Sequence, residues 1–371
     1  MKTNSFKQLG ALGQSVWLNY IRRDLIVSGK LRRLIEEDGL RGMTSNPALF
    51  EQAIVVSRDY EADIREMAAL GKDAREIYES LSQHDVRSAA DEFRPLYDRT
   101  DGRDGYVSLE VSPRLAYDTH GTIIEARRLW AALGRPNILI NVPATIESLP
   151  AIQQLISEGI NVNVTMLFEL SRYQQVVDAY LAGLEKRIAD GKPVWQVVSV
   201  ASFFLSRMDT ILDALLDQLI AQDGAAGKAA TRVHGQVAIS SAKLAYQIYK
   251  ENFSGERFNK LTAQGARGQR LLWASTVTKN PDYSDIKYVE ALIGPDTISA
   301  VSAETFNAFR DHGKPKPTLE QNVPEAVWVL QQLPELGIRI PQMAQRLEAE
   351  GVEKFNQLFD KLMGSLSDRL R

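Results

Sequence analysis

The chain has 371 residues, and 44 Lys and Arg against 47 Asp and Glu leave a formal charge of −3. A balance this close to neutral argues against nucleic acid as the main partner, because phosphate backbones select for a basic excess. The absence of cysteine excludes disulfides, thiolate catalysis, Cys-ligated zinc and iron–sulfur clusters. The opening segment MKTNSFKQLGALGQ has no apolar core of signal-peptide length, and no apolar run reaches about 18 residues. The expectation is a cytoplasmic protein with no membrane partner.

Short apolar, β-branched runs predict strands at Ser15–Leu18, Leu40–Thr44, Tyr106–Val111, Asn137–Val142, Asn161–Met166, Val197–Phe203, Arg270–Ser275 and Thr297–Val301. Between them, apolar residues at helical spacing predict helices at Glu125–Ala132, Ile146–Glu158, Leu167–Ala189, Arg207–Ile220 and Ala238–Asn252. The strands read as apolar on both faces, as a parallel sheet buried beneath crossover helices requires. Eight such strands in this length favour a closed (β/α)8 TIM barrel over an open doubly wound sheet. The stretch HGKPKPT at 312–318 leads into further helices at Pro324–Leu333 and Gln342–Leu366. No linker or repeat divides the chain, so 1–371 reads as one barrel domain with helical additions near 318–371.

Chemistry in such barrels sits at the C-terminal ends of the strands. The polar residues there are Asn19, then Thr44, Ser45 and Asn46, then Glu110, Asn141, Thr145, Asn163, Thr165 and Ser202, with Arg207 following. The seventh strand adds Ser275, Thr276, Thr278 and Lys279. One polar residue inside an apolar strand is usually a cap or a core hydrogen bond. Asn, Glu, Asn and Thr on neighbouring strands point instead to a hydroxyl-rich ligand such as a sugar. Arg207, Ser275 and Lys279 suit a phosphate, although cations alone are as often a solvated face. His84, His120, His234 and His312 show no ligand spacing, so no metal is expected. Gly-x-Gly-x-x-Gly, Walker A and Gly-x-Ser-x-Gly motifs are absent. Asp118 and His120 read as supports for a helix start.

Six stretches together resemble the transaldolase family. They are GLRGMTSNPALFEQAI at 39–54, VSLEVSPRLAYDT at 107–119, RPNILINVPAT at 135–145, GINVNVTMLF at 159–168, VASFFLSRMD at 200–209 and WASTVTKNPDYSD at 273–285. They span most of the chain, and the Ser-Thr-x-x-Lys pattern is similar to the longer bacterial subfamily. The resemblance implies a class I aldolase-like barrel, circularly permuted, that moves a dihydroxyacetone unit from a ketose phosphate to an aldose phosphate in the pentose phosphate pathway. It implies no metal or organic cofactor, a phosphorylated sugar as partner, and a monomer or homodimer. By motif, Asn46, Asn163, Ser202 and Phe204 would meet the sugar. Glu110 and Thr165 would hold the water that relays protons. Arg207, Ser275 and Lys279 would hold the phosphate.

Two positions depart from the family pattern. The fourth-strand motif normally carries the Schiff-base Lys, and Asn141 stands there, in Ile-Asn-Val-Pro. The first strand normally ends in an acid/base Asp, and Asn19 stands there, in Val-Trp-Leu-Asn-Tyr. Val277 replaces a usual Gly. An amide nitrogen has no free lone pair and cannot form an imine, and Asn does not titrate near neutral pH. The two changes remove opposite charges, so the site is expected to keep its neutrality while losing classical turnover. The alternatives are an amine elsewhere (Lys243 reads as a helix-surface residue), a Lys-independent isomerase, lyase or cyclase acting on a sugar phosphate, or a non-catalytic phosphosugar-binding protein.

Overall fold

A computed structural model describes residues 4–222 and 224–370. Residues 1–3, at the head of the segment read for a signal sequence, and Arg371 lie outside the described residues. Eight parallel strands close into a barrel in chain order. They are β1 (Gln14–Asn19), β2 (Gly42–Thr44), β3 (Tyr106–Glu110), β4 (Ile138–Pro143), β5 (Val162–Leu167), β6 (Ser199–Phe204), β7 (Arg270–Ala274) and β8 (Thr297–Val301). β1 closes the barrel on β8, from Gln14 opposite Thr297 to Leu18 opposite Val301. All eight expected strands are present, within two residues at their starts and ends.

Alternation along each strand divides the side chains into two populations. Val16, Leu18, Val107, Leu109, Ile138, Ile140, Val162, Val164 and Leu271 point outward into the core shared with the helices. Trp17, Tyr106, Leu139, Val200, Leu272, Ile298 and Ala300 fill the barrel interior as a separate apolar plug. Below the plug, the Arg270 guanidinium bonds the Asp104 carboxylate at 3.1 Å and the Thr297 carbonyl at 3.0 Å. The polar mouth lies above it.

The plug depends on a size match between neighbouring strands. Trp17 is fully buried and stands in register with Gly42. A Cβ at Gly42 would lie 2.5 Å from Trp17 Cε2 and 2.6 Å from Nε1. Overpacking of a rigid core costs about 1–3 kcal/mol or more. Gly42→Ala is therefore expected to lower the thermal midpoint by several degrees. An unchanged melting curve would mean that the indole has room to move.

The crossovers carry the helices. Thr119–Leu133, Ser206–Ile220 and Val237–Ser254 are longer than the expected helices, whereas Ser148–Glu158 and Leu170–Ala189 begin two and three residues later than expected, because the strand ends before them run on into the loop. Asp118 is the N-cap of the first of these, accepting from Gly121 N at 2.9 Å. The β2–β3 crossover adds Pro47–Val56, Glu61–Ala69 and Ala74–Arg99, the last opened by a capping box of Asp73 and Glu76. After β8 come Ala303–His312, Val323–Glu335 and Ile340–Arg369.

The 30-residue Ile340–Arg369 helix positions part of the site. It packs on the helices Pro47–Val56, Ala74–Arg99 and Ser206–Ile220 and on β5. Its buried residues include Leu347, Gly351, Val352, Phe355, Phe359, Leu362 and Leu366. Phe359 meets Tyr78 edge-on at 5.6 Å, Lys361 pairs with Glu51 at 2.8 Å, and Arg114 pairs with Asp360. These contacts carry the helix across the C-terminal mouth of the barrel. Among the described residues no helix is long and apolar enough to cross a membrane.

Candidate active site

The cavity above the plug encloses about 120 Å³. Asn19, Asn46, Glu110, Asn141, Asn163, Thr165, Ser202, Phe204, Arg207 and Ser275 line it, so ten of the eleven residues matched to the family's site positions meet there, with Thr44 and Ser45 beside them. Strand register explains the convergence. Asn19 stands beside Thr44, while Glu110, Asn141 and Asn163 occupy one level across β3, β4 and β5. Side chains in register share a face, and here that face is the barrel interior.

The eleventh residue, Lys279, lies elsewhere. It is exposed in the connection after β7 and does not line the cavity. Among the described residues Arg207 is thus the cation that lines this site. Its guanidinium lies 5.8 Å from the Phe204 ring centre and 5.6 Å from that of Phe355. Burial pulls its pKa down, and the field of Glu110 opposes that. A half-buried guanidinium with rings rather than carboxylates beside it is suited to an anionic ligand.

Phe355 is a wall that the strand ends do not disclose. It comes from the Ile340–Arg369 helix, where its helical spacing marks it only as packing. Gly351, one turn earlier, lets that helix settle on the mouth. A Cβ there would collide with Met166 Cε and lie 3.2 Å from Arg207 Nη1.

Glu110 is the electrostatic centre. Its Oε2 is buried with no hydrogen-bond partner among the described residues. Burial pushes the carboxyl from 4.5 up to about 8, with Arg207 opposing. At neutral pH it is mainly a protonated acid, able to donate to a ligand or a water. Thr165 Oγ1 and Asn141 Oδ1 are likewise buried without partners. Three unpaired polar groups around one cavity are costly in an empty fold and become useful when a polar ligand fills it.

The other side chains are partly committed. Asn141 is 1% exposed, and its Nδ2 donates to the Ser45 carbonyl at 3.3 Å. Asn163 Oδ1 accepts from Ser202 Oγ at 2.7 Å, which fixes the amide orientation. Asn46 caps the Pro47–Val56 helix by accepting from Leu49 N at 3.1 Å. Its Oδ1 is therefore engaged, and its NH2 is the group open to a ligand. Two non-glycine residues at the mouth hold left-handed backbone, Met166 at φ 62° and Ser275 at φ 56°. Met166 sits in the register shift between Val164 and Leu167. Such conformations cost about 1–3 kcal/mol and persist where surrounding structure enforces them.

Among the described residues no lysine lines the cavity. Lys243 sits on the Val237–Ser254 helix and donates to the Gln321 carbonyl at 2.7 Å. It provides no replacement amine. Among the described residues no group of His, Asp and Glu is arranged to hold a metal ion.

The family comparison agrees with this architecture. Residues 16–366 match the family model described as transaldolase/fructose-6-phosphate aldolase. The chain is 44% identical over 375 residues to a protein of Trichodesmium erythraeum named transaldolase, covering 100% of this chain and 99% of that one. It is 46% identical over 363 residues to a transaldolase of Thiobacillus denitrificans, covering 98% and 99%. A match of this extent, on a closed eight-stranded barrel whose polar mouth gathers the motif residues, shows that the chain belongs to the transaldolase/fructose-6-phosphate aldolase family.

Proposed function

We propose that this protein binds a phosphorylated ketose at the barrel mouth and does so without forming a Schiff base. One observation carries the reading: among the described residues the cavity has an arginine, a carboxyl and three asparagines on its strands but no amine. Asn141 stands between Glu110 and Asn163, at the position the motif gives to the family's lysine. An amide cannot attack a carbonyl, so the covalent route is closed and dihydroxyacetone transfer is impaired. The sugar hydroxyls would meet Asn46, Asn163 and Ser202, and the phosphate would meet Arg207 and Ser275. The family relationship supports a setting in pentose phosphate metabolism, and the cytoplasm is the compartment this reading expects.

A second reading has its own support. Glu110 and Thr165 present an uncommitted acid and an uncommitted hydroxyl to the same cavity. With a carboxyl raised to about 8, Glu110 can give and take a proton near neutral pH. That supports isomerisation, elimination or cyclisation of the bound sugar phosphate. Binding is common to both readings, and turnover separates them.

Incubation with fructose 6-phosphate followed by borohydride is expected to leave the intact mass unchanged, while calorimetry detects binding. A reducible three-carbon or six-carbon adduct would overturn the non-covalent reading. Absence of binding would remove the phosphosugar assignment.

A further inference from the structure

Outside the cavity, one lysine is held in unusual surroundings. The Lys287 side chain is 16% exposed, and its ammonium makes no hydrogen bond among the described residues. It lies 3.6 Å from Asp209 Oδ2 and 3.4 Å from the centre of the Tyr283 ring. Burial pulls Lys287 down and pushes Asp209 up, each towards its neutral form. Burying an ion pair rarely gains stability over apolar residues of the same size; its best-attested use is to specify an arrangement.

The arrangement specified here joins two segments of the candidate site. Asp209 is two residues beyond Arg207 on the Ser206–Ile220 helix. It accepts from Tyr288 OH at 2.8 Å and from Ala238 N at 2.8 Å. One turn on, Asp213 accepts from Tyr283 OH at 2.7 Å. Tyr283, Lys287 and Tyr288 lie further along the β7–β8 connection that Ser275 opens. At that opening, Ser206 N donates to the Ser275 carbonyl at 3.0 Å, and the two hydroxyls are 2.9 Å apart. The stretch from Ser275 to Tyr288 is therefore gripped at both ends by the helix that carries Arg207, and the part between, with Val277 and Lys279, is exposed.

We propose that Lys287 is a positioning residue that, through Asp209 and Tyr283, sets Arg207 and Ser275 at the spacing a phosphate requires. The proposal rests on the phosphosugar reading above. Loss of the ammonium leaves Asp209 buried with a weaker set of partners and leaves Tyr283 and Tyr288 alone to tie that part of the connection to the helix. The left-handed turn at Ser275 is then held less firmly on its far side.

Calorimetry with fructose 6-phosphate tests this on the full-length protein. Lys287→Met is expected to raise Kd about tenfold, and Lys287→Arg to recover most of that loss. Hydrogen exchange over residues 275–286 is expected to speed up in Lys287→Met and return towards the parent rate in Lys287→Arg. Tyr288→Phe removes one bond to Asp209 without stranding a charge, so it keeps the test open if Lys287→Met does not fold; about a threefold rise in Kd is expected. Arg207→Gln is the control on the underlying reading. If Arg207→Gln weakens binding and folded Lys287→Met and Tyr288→Phe do not, Lys287 has no positioning role. If Arg207→Gln itself leaves Kd unchanged, the phosphate assignment fails first. A rise in Kd that arginine does not recover would also overturn the proposal, because it would mark general damage to the fold.

Discussion

Asn141→Lys combined with Asn19→Asp is expected to give a protein that labels with fructose 6-phosphate and borohydride and transfers a three-carbon unit, where the parent is expected to give no adduct. The geometry favours the exchange. Asn141 already stands on the interior face of β4, level with Glu110 and Asn163, beneath a cavity of about 120 Å³ that can receive a longer side chain. The new ammonium would meet the buried Glu110 carboxyl, which now lacks a close cation, and would favour its ionised form. Asp at position 19 would supply the titrating group that Asn lacks. Asn141→Lys alone is expected to label but to turn over about 10²–10⁴-fold more slowly than the double variant, the usual share of general acid–base help. Intact-mass analysis after reduction reads the adduct, and a coupled assay with erythrose 4-phosphate reads transfer. A folded double variant that binds the sugar phosphate without labelling would show that the site has changed beyond these two residues.

Glu110→Gln is expected to make the protein more stable in alkaline buffer and leave it nearly unchanged in acid. Glu110 is the raised case: its carboxyl titrates at about 8 in the folded chain, against 4.5 ordinarily. Between those values the folded state keeps a proton that the unfolded state has lost. Stability from this group is thus fully present below pH 4.5, falls as pH rises, and levels off above 8. At about 1.36 kcal/mol per pKa unit, the whole window is worth on the order of 3–5 kcal/mol. Gln fills the same space with no charge to desolvate. Urea midpoints at pH 4.5 and pH 8.5 should therefore nearly coincide for the two proteins in acid and separate in base, with the variant higher. Parallel profiles would mean that Glu110 is hydrated or paired in solution.

The barrel was legible because its strands obey a simple rule. Runs such as Ile138–Val142 and Val162–Val164 are apolar and β-branched on the helix-facing side, and the few polar residues that interrupt them lie on the other. That regularity is also why Glu110, Asn141 and Asn163 could be grouped before any contact was known. The long Ala74–Arg99 helix is less visible in sequence. Its apolar residues are diluted by charge, and Pro95 lies in its last turn. Two features of the site could not be read locally. Phe355 reaches the cavity only because a distant helix docks on the mouth. Lys279 misses it because the connection after β7 is held by Ser206, Asp209 and Asp213 on a path that leaves its middle in solvent.

The separation of the apolar plug from the polar mouth has a consequence for how such a protein changes over generations. The plug, with Trp17 seated against Gly42, holds the strands together. The mouth adds little to that cohesion, since Glu110, Asn141 and Thr165 each leave a polar atom unpaired. Mouth residues can therefore be re-lettered while the architecture persists, and two opposite charges can disappear together without collapse. A scaffold divided in this way permits chemical drift: a lineage can abandon one reaction, keep its grip on the ligand, and remain folded while another reaction is found.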